Sequence, residues 1–462
     1  MPAWRLYPLI ALFLTGCASA PVPDPPDAAA APHLLLAGWS GDGNRILGVQ
    51  RTRSECRLVV RDLVGAGESV HDLGFCPSSM RVVRDGSLLL KAGGESTLLT
   101  PDGERIRGVV DALDSERLLR RDTTGLIWPD GTRSEGALGA RDFRLLPDAA
   151  SAVAITREID GERLVRLDAG GEVAVLAGPF AAIDSFDLSP DGVEAVLSAR
   201  RDDNFDVALA STAGGEVNWI GPDPLDETMV SWAPRGSKVT YKIEAPMGSV
   251  LRSVHVPTGF QRSFSWPGTL VRGLSWQPLA EKFVVLAESP AWPPHARIAD
   301  YAGDAWNPLF GDAVPVAGDP EPAAALRNTW VWAPRDLRYG ESVPLIVWLE
   351  GGELWEWNGV RADLQQNLRI GTAVLGRGTE QPGWLKALLS ELRWADPGQV
   401  FVVTAGSSRV APGGTDRAVI LAPPGDERFE WAAELVELSS GEPELEAAQW
   451  LVRRLQEAKR EE

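Results

Sequence analysis

Three proline-centred turns recur at a fixed spacing of 44 residues, at Pro190, Pro234 and Pro278, and a fourth, Pro147, lies 43 residues before the first. Each stands between two apolar runs, as in FDLSPDGVEAVL at 186–197, VSWAPRGSKVTYKI around Pro234 and LSWQPLAEKFVVLA around Pro278. Pro fixes φ and Gly accepts φ > 0, so Ser189-Pro190-Asp191-Gly192 reverses the chain between two strands. A period of this length marks one supersecondary unit repeated around an axis. Two further strands are legible in the unit that begins at Phe186, FDVALAS from Phe205 and GEVNWIG from Gly215. Four strands per period is the arrangement of an all-β propeller, whereas a β-sandwich would lack the period.

Upstream the repeat continues with altered turns. LLLAGWSGDGNRILGVQ, from Leu34, carries Gly41-Asp42-Gly43 in place of Pro-Asp-Gly, and Trp39 where later units have Trp232 and Trp276. Its outer strands read as CRLVVRDL from Cys56 and ESVHDLGF from Glu68. The next two units are worn: they turn at Asp85-Gly86 and near Asp114-Ser115, with LLTPDGERI and LIWPDGTRS as their second hairpins. First turns near Asp42, Asp85, Asp114, Asp148, Asp191, Arg235 and Leu279 give seven units over 33–314, the uneven spacing at the second and third leaving six or eight open. Blades bury their sheet faces against neighbours, so Trp232, Trp276 and Leu188 are assigned to inter-blade packing.

The string SFDLSPDGVEAVLSARRDDNFDVALAS, 185–211, resembles the propeller repeats of the TolB type and of the prolyl oligopeptidase family. In that family such a propeller precedes an α/β-hydrolase domain, and the resemblance implies the same order here.

Residues 315–327, rich in Pro, Ala and acidic side chains, read as a linker, and 328–462 alternates strand and helix. VPLIVWLEGG, GTAVLG and DRAVILAPPGD read as strands, WLKALLSELRWADPGQVFVVTAG as helix, turn and strand, and 442–461 as a charged helical tail. This pattern implies a smaller α/β domain with a mostly parallel sheet. Its wording resembles the prolyl-oligopeptidase type of α/β-hydrolase, in which the first buried strand ends in His-Gly-Gly and Ala-Asp-Pro leads through a strand to a Gly-x-Ser-x-Gly nucleophile elbow. Here Glu350-Gly351-Gly352 stands at the first place, a degenerate oxyanion region, and Thr404-Ala405-Gly406-Ser407-Ser408 at the second.

The departures from that pattern bear on chemistry. In the ungapped register Gly406 takes the nucleophile position; a shift by two offers Ser408 but puts Val410 where the sharp turn requires Gly. No His follows His295, so the domain has no imidazole to take a serine proton, and the chain ends about fifty-five residues after Ser408. Glu350 brings a carboxylate to where an oxyanion must develop. The expectation is therefore a truncated, non-catalytic pseudo-hydrolase, a binding or scaffold module for a protein or peptide ligand. The alternative is a serine peptidase or esterase of the prolyl oligopeptidase type with an atypical site at Ser408, for which Lys386 is the available base. Trp355, Glu356 and Trp357 follow the glycine pair in a loop and are the candidate binding surface. Trp330, Trp332 and Trp348 are assigned to packing.

At the N-terminus, Arg5 and an apolar run over 6–14 precede Leu14-Thr15-Gly16-Cys17. This resembles the lipobox of bacterial lipoproteins, which implies a signal peptide over 1–16 and acylation of Cys17. Ala18 after the Cys implies sorting to the outer membrane on its periplasmic side, with 17–32 as a flexible tether. No later run approaches the ~18 apolar residues of a spanning helix, so the lipid is the expected membrane contact. Export would put Cys56 and Cys76 in an oxidising compartment, where their pairing would stabilise by about 3 kcal/mol. His33, His71, His255 and His295 are scattered singly without metal-ligand spacing, and neither metal nor cofactor is expected. Acidic residues outnumber basic ones by 64 to 45, a net charge of −19, which argues against a nucleic-acid partner.

Overall fold

In the computed structural model the Pro190 turn is built as its residues dictate. The Gly192 amide donates to the Ser189 carbonyl at 2.8 Å, Ser189 Oγ donates to Asp191 Oδ1 at 2.6 Å, and the Glu194 amide donates to Ser189 Oγ at 3.0 Å. The Ser189 hydroxyl, with the Val193 amide, holds the Asp191 carboxyl below its usual range. Gly192 sits at φ 72°, and a Cβ there would lie 2.4 Å from Cδ of Pro147 in the preceding blade's turn. Glycine is thus required by conformation and by its neighbour. Gly192→Ala is expected to lower the unfolding free energy by about 1–3 kcal/mol, measured as a shift in the urea midpoint; an unchanged midpoint would show that the turns tolerate separation.

All but a few short gaps of residues 33–301 are described, and beyond these residues 306–310, 321–322, 329–334, 337–349, 370–375, 384–404, 419–422 and 434–437. Seven four-stranded antiparallel sheets follow one another at 33–72, 79–107, 109–134, 141–180, 183–219, 227–265 and 270–310, each with its strands paired in chain order. These are the seven blades of a β-propeller. Blades 2 and 3 compress the 44-residue period because their strands are short: blade 2 opens on Ser79–Val82, and blade 3 ends on Leu126–Ile127 and Arg133–Ser134. The first strands of neighbouring blades approach one another and form the inner wall.

Each first-strand tryptophan packs against the preceding blade. Trp232 meets Val196, Val207 and Leu209 of blade 5, and Trp276 meets Ala233, Leu251 and Phe264 of blade 6. Trp39 does the same with Val284, Leu286 and Ala296 of blade 7, closing the ring by packing, since blade 7 is made wholly of its own four strands. Two polar contacts reinforce this seam, from the Trp39 amide to Ser275 Oγ (3.3 Å) and from Gln277 Nε2 to the Gly43 carbonyl (2.7 Å).

After the propeller comes a seven-stranded sheet in the order Glu321–Pro322, Thr329–Trp332, Gly371–Leu375, Val343–Leu349, Ala395–Thr404, Val419–Ala422, Glu434–Glu437. The first two strands join antiparallel and the other five are parallel. Trp384–Glu391 is the helix among the described residues of this region, so the expected helical cover of an α/β-hydrolase domain is not evident there. The tail at 442–461, expected to be helical, lies outside the described residues.

Candidate functional site

Two neighbouring strands of the sheet precede segments singled out in the sequence. Val343–Leu349 pairs parallel with Ala395–Thr404, with Leu349 opposite Thr404. The Glu350-Gly351-Gly352 and Gly406-Ser407-Ser408 segments therefore continue from the carboxyl ends of two neighbouring strands, although they and Trp355, Glu356 and Trp357 lie outside the described residues. Between Gly371–Leu375 and Ala395–Thr404 the helix Trp384–Glu391 buries Trp384, Leu385 and Leu388 against Leu345, Val347 and Val402 and leaves Lys386 exposed. Trp332 and Trp348 are fully buried, as packing residues are. Cys17 also lies outside the described residues, while Cys56 and Cys76 form the expected disulfide across a sequence separation of 20. Among the described residues no helix is long and apolar enough to cross a membrane, and no cluster of His, Cys, Asp or Glu is arranged to hold a metal.

A cleft lies in the propeller. It opens between blades 1 and 2, encloses 860 Å³, and has a floor of Leu47, Leu58, Val60, Leu88 and Leu99. Ser69 and His71 line it from the outer strand Glu68–Asp72, with Ser69 Oγ and His71 Nε2 3.1 Å apart. At one end Arg105 of blade 2 reaches across to donate to the carbonyls of Leu73 (2.7 Å) and Asp72 (2.9 Å). Sequence reasoning treated each histidine singly and passed over this pair. The available signal was the i, i+2 spacing, which puts both side chains on one face of a strand.

Charged side chains cross the inner wall from blade to blade. Arg81 of blade 2 pairs with the buried Asp111 of blade 3, whose other oxygen accepts the Leu145 amide of blade 4 at 2.5 Å. Arg144 of blade 4 faces Asp187 of blade 5 at 3.8 Å, and Asp187 accepts the Trp232 amide of blade 6 at 2.9 Å. Burial, with Arg144 nearby, pulls the Arg81 guanidinium down to about 9. These contacts tie neighbouring blades to one another across their boundaries. Two other histidines are locally engaged: His255 Nδ1 lies 2.7 Å from Thr258 Oγ1, and His295 Nδ1 lies 2.7 Å from the Pro293 carbonyl inside blade 7.

Neither a protein-family model nor a curated protein matches the chain. Solved structures do. An acylaminoacyl peptidase in complex with Z-Gly-Gly-Phe-chloromethyl ketone superposes with a TM-score of 0.62 at 12% identity, covering 92% of this chain and 95% of its own. The acylaminoacyl peptidase of Pyrococcus horikoshii, in its orthorhombic crystal form, gives 0.63 at 12% identity over 94% and 97% of the two chains. A puromycin hydrolase gives 0.55 at 15% identity over 85% and 78%. At these identities the likeness is one of fold. It corrects the expectation of a non-catalytic pseudo-hydrolase, because the structures that share this architecture are peptidases and hydrolases. The segments on which that expectation rested, Glu350–Gly352 and Gly406–Ser408, lie outside the described residues.

Proposed function

We propose that the chain is a lipid-anchored envelope hydrolase of the prolyl-oligopeptidase type that cleaves peptide or ester bonds with Ser408 as nucleophile. The observation that carries this reading is the parallel adjacency of Val343–Leu349 and Ala395–Thr404. Open parallel sheets bind their ligands outside the carboxyl ends of the strands, and the glycine pair and Ser408 follow two such neighbouring ends. The architecture shared with peptidases supports the same reading.

No His occurs between Ala296 and Glu462, and the reading takes Lys386 as the base. A helix joining two parallel strands runs back along the sheet, so the first turn of Trp384–Glu391, with Lys386, lies toward the strands' carboxyl ends. In this scheme Lys386 Nζ takes the Ser408 proton as Oγ attacks the carbonyl carbon, then delivers it to the departing amine or alcohol. Water attacks the acyl-serine next, giving its proton to the same nitrogen, which passes it to Ser408 Oγ as the acyl–oxygen bond breaks and the acid leaves. The amides of Gly351 and Gly352 are the groups assigned to the oxyanion.

Fluorophosphonate labelling of the purified protein tests the assignment. Wild type is expected to label at a serine mapped to Ser408, Ser408→Ala to lose that label, and Lys386→Met to label about 10²–10⁴-fold more slowly. Labelling that survives Ser408→Ala unchanged overturns it. For the anchor, Cys17→Ala is expected to move the protein from membranes to the soluble fraction, and undiminished membrane retention would contradict acylation at Cys17.

A further inference from the structure

The cleft between blades 1 and 2 takes no part in the proposed hydrolysis, and all its lining residues belong to the propeller. Its walls are held from two sides. The Cys56–Cys76 bridge ties the start of blade 1's third strand to the connection into blade 2, and Arg105 bonds the outer strand of blade 2 to the end of Glu68–Asp72. A cavity braced in this way is formed before any ligand arrives, which removes part of the ordering cost of binding. Its volume of 860 Å³ is that of an ordinary ligand site.

The lining narrows the chemistry of the occupant. Among the described residues no Phe, Tyr or Trp lines the cleft, so they offer no aromatic platform on which a nucleobase or sugar ring could stack. Both signs of charge line the cleft, with Asp42, Asp72, Asp85 and Asp102 beside Arg45, Arg84 and Arg105. Such a rim favours neither a polyanion nor a polycation and complements a molecule carrying both donors and acceptors. The floor is aliphatic, with Val60 and Leu99 still half-exposed. The exposed wall is Glu68–Asp72, the edge strand of blade 1, which pairs with Cys56–Asp62 on its inner side. An edge strand offers main-chain groups to an added extended segment, and alternate side chains of that segment then fall on the face that carries Ser69 and His71.

We propose that this cleft binds an extended peptide segment with aliphatic side chains, its main chain set along Glu68–Asp72, its charged or polar groups at the mixed rim, and its leucine-type side chains against the half-exposed Val60 and Leu99. This is a binding site separate from the hydrolytic reading and does not rest on it.

The probe is a fluorescein-labelled hexapeptide of alternating leucine and serine, capped at both ends, followed by anisotropy against the full chain. Saturable binding is expected, weakened about tenfold or more by Val60→Trp or Leu99→Trp, which fill the cleft. Val175→Trp, on the exposed outer strand of blade 4, is expected to leave binding unchanged. The double variant Ser69→Asp, His71→Asp touches only exposed side chains and is expected to weaken binding without disturbing the fold. The same titration on Ser408→Ala separates the two proposals, since binding is expected to persist there whatever happens to labelling. Absence of saturable binding, binding indifferent to the cleft variants, or equal binding of a peptide with aspartate in place of each leucine overturns the proposal.

Discussion

Trp39→Ala is expected to lower the unfolding free energy by about 3–5 kcal/mol and to loosen the propeller at one place, the seam between blades 1 and 7. Trp39 is almost fully buried, and its ring fills the space between its own blade and Val284, Leu286 and Ala296 of blade 7. No strand is shared across this seam, so main-chain ladders do not hold it. Side-chain packing, the Trp39 amide to Ser275 and the Gln277 contact to Gly43 must do so. Removing the indole leaves a cavity that rigid sheet faces cannot collapse to fill. Trp232→Ala should cost a similar amount, but it lies between blades 5 and 6, away from the closure. Hydrogen exchange separates the two: faster exchange in Trp39→Ala should concentrate in His33–Trp39 and Lys282–Ser289. Uniformly faster exchange would show that closure is not the weakest boundary.

The turns were legible because their chemistry is local. Pro190, Asp191 and Gly192 make a reversal through bonds that span five residues or fewer, and repetition at 44 residues supplied the rest. The worn blades kept legible turns even where strands shrank to two residues, since Asp114 still accepts the Glu116 and Arg117 amides. Asp111 and Asp187 were not legible as inter-blade ties. Their partners Leu145 and Trp232 lie 34 and 45 residues away, and only the ring brings them together. The cleft was hidden for a similar reason, being a space left between two sheets rather than a property of either. In the C-terminal region the parallel strands could be read from their apolar runs. The inference of an inert domain leaned on absent motif residues, and absence of a familiar base does not exclude a different one.

His295 should make the propeller acid-sensitive by about 3 kcal/mol. The imidazole is buried in blade 7, where its Nδ1–H donates to the Pro293 carbonyl and Nε2 accepts from Arg297 Nε. The Arg297 bond requires the neutral ring, because a proton on Nε2 would point at the guanidinium N–H, whereas the Nδ1–H bond to Pro293 is made by either form. Burial, with the Arg297 charge beside it, pushes His295 down from 6.5 to about 4. The unfolded chain therefore binds a proton near pH 6.5 that the folded chain refuses until about pH 4. Stability from this residue is fully present above the upper value, declines as pH falls through the window and is lost below the lower one. His295→Gln keeps a donor and an acceptor but cannot titrate. The difference in unfolding free energy between pH 7 and pH 4 should be about 3 kcal/mol smaller in the variant than in wild type. Carboxylate titrations are common to both proteins and cancel in that comparison. Equal pH dependence would mean that the folded ring accepts a proton as readily as the unfolded one, and that Arg297 moves aside to allow it.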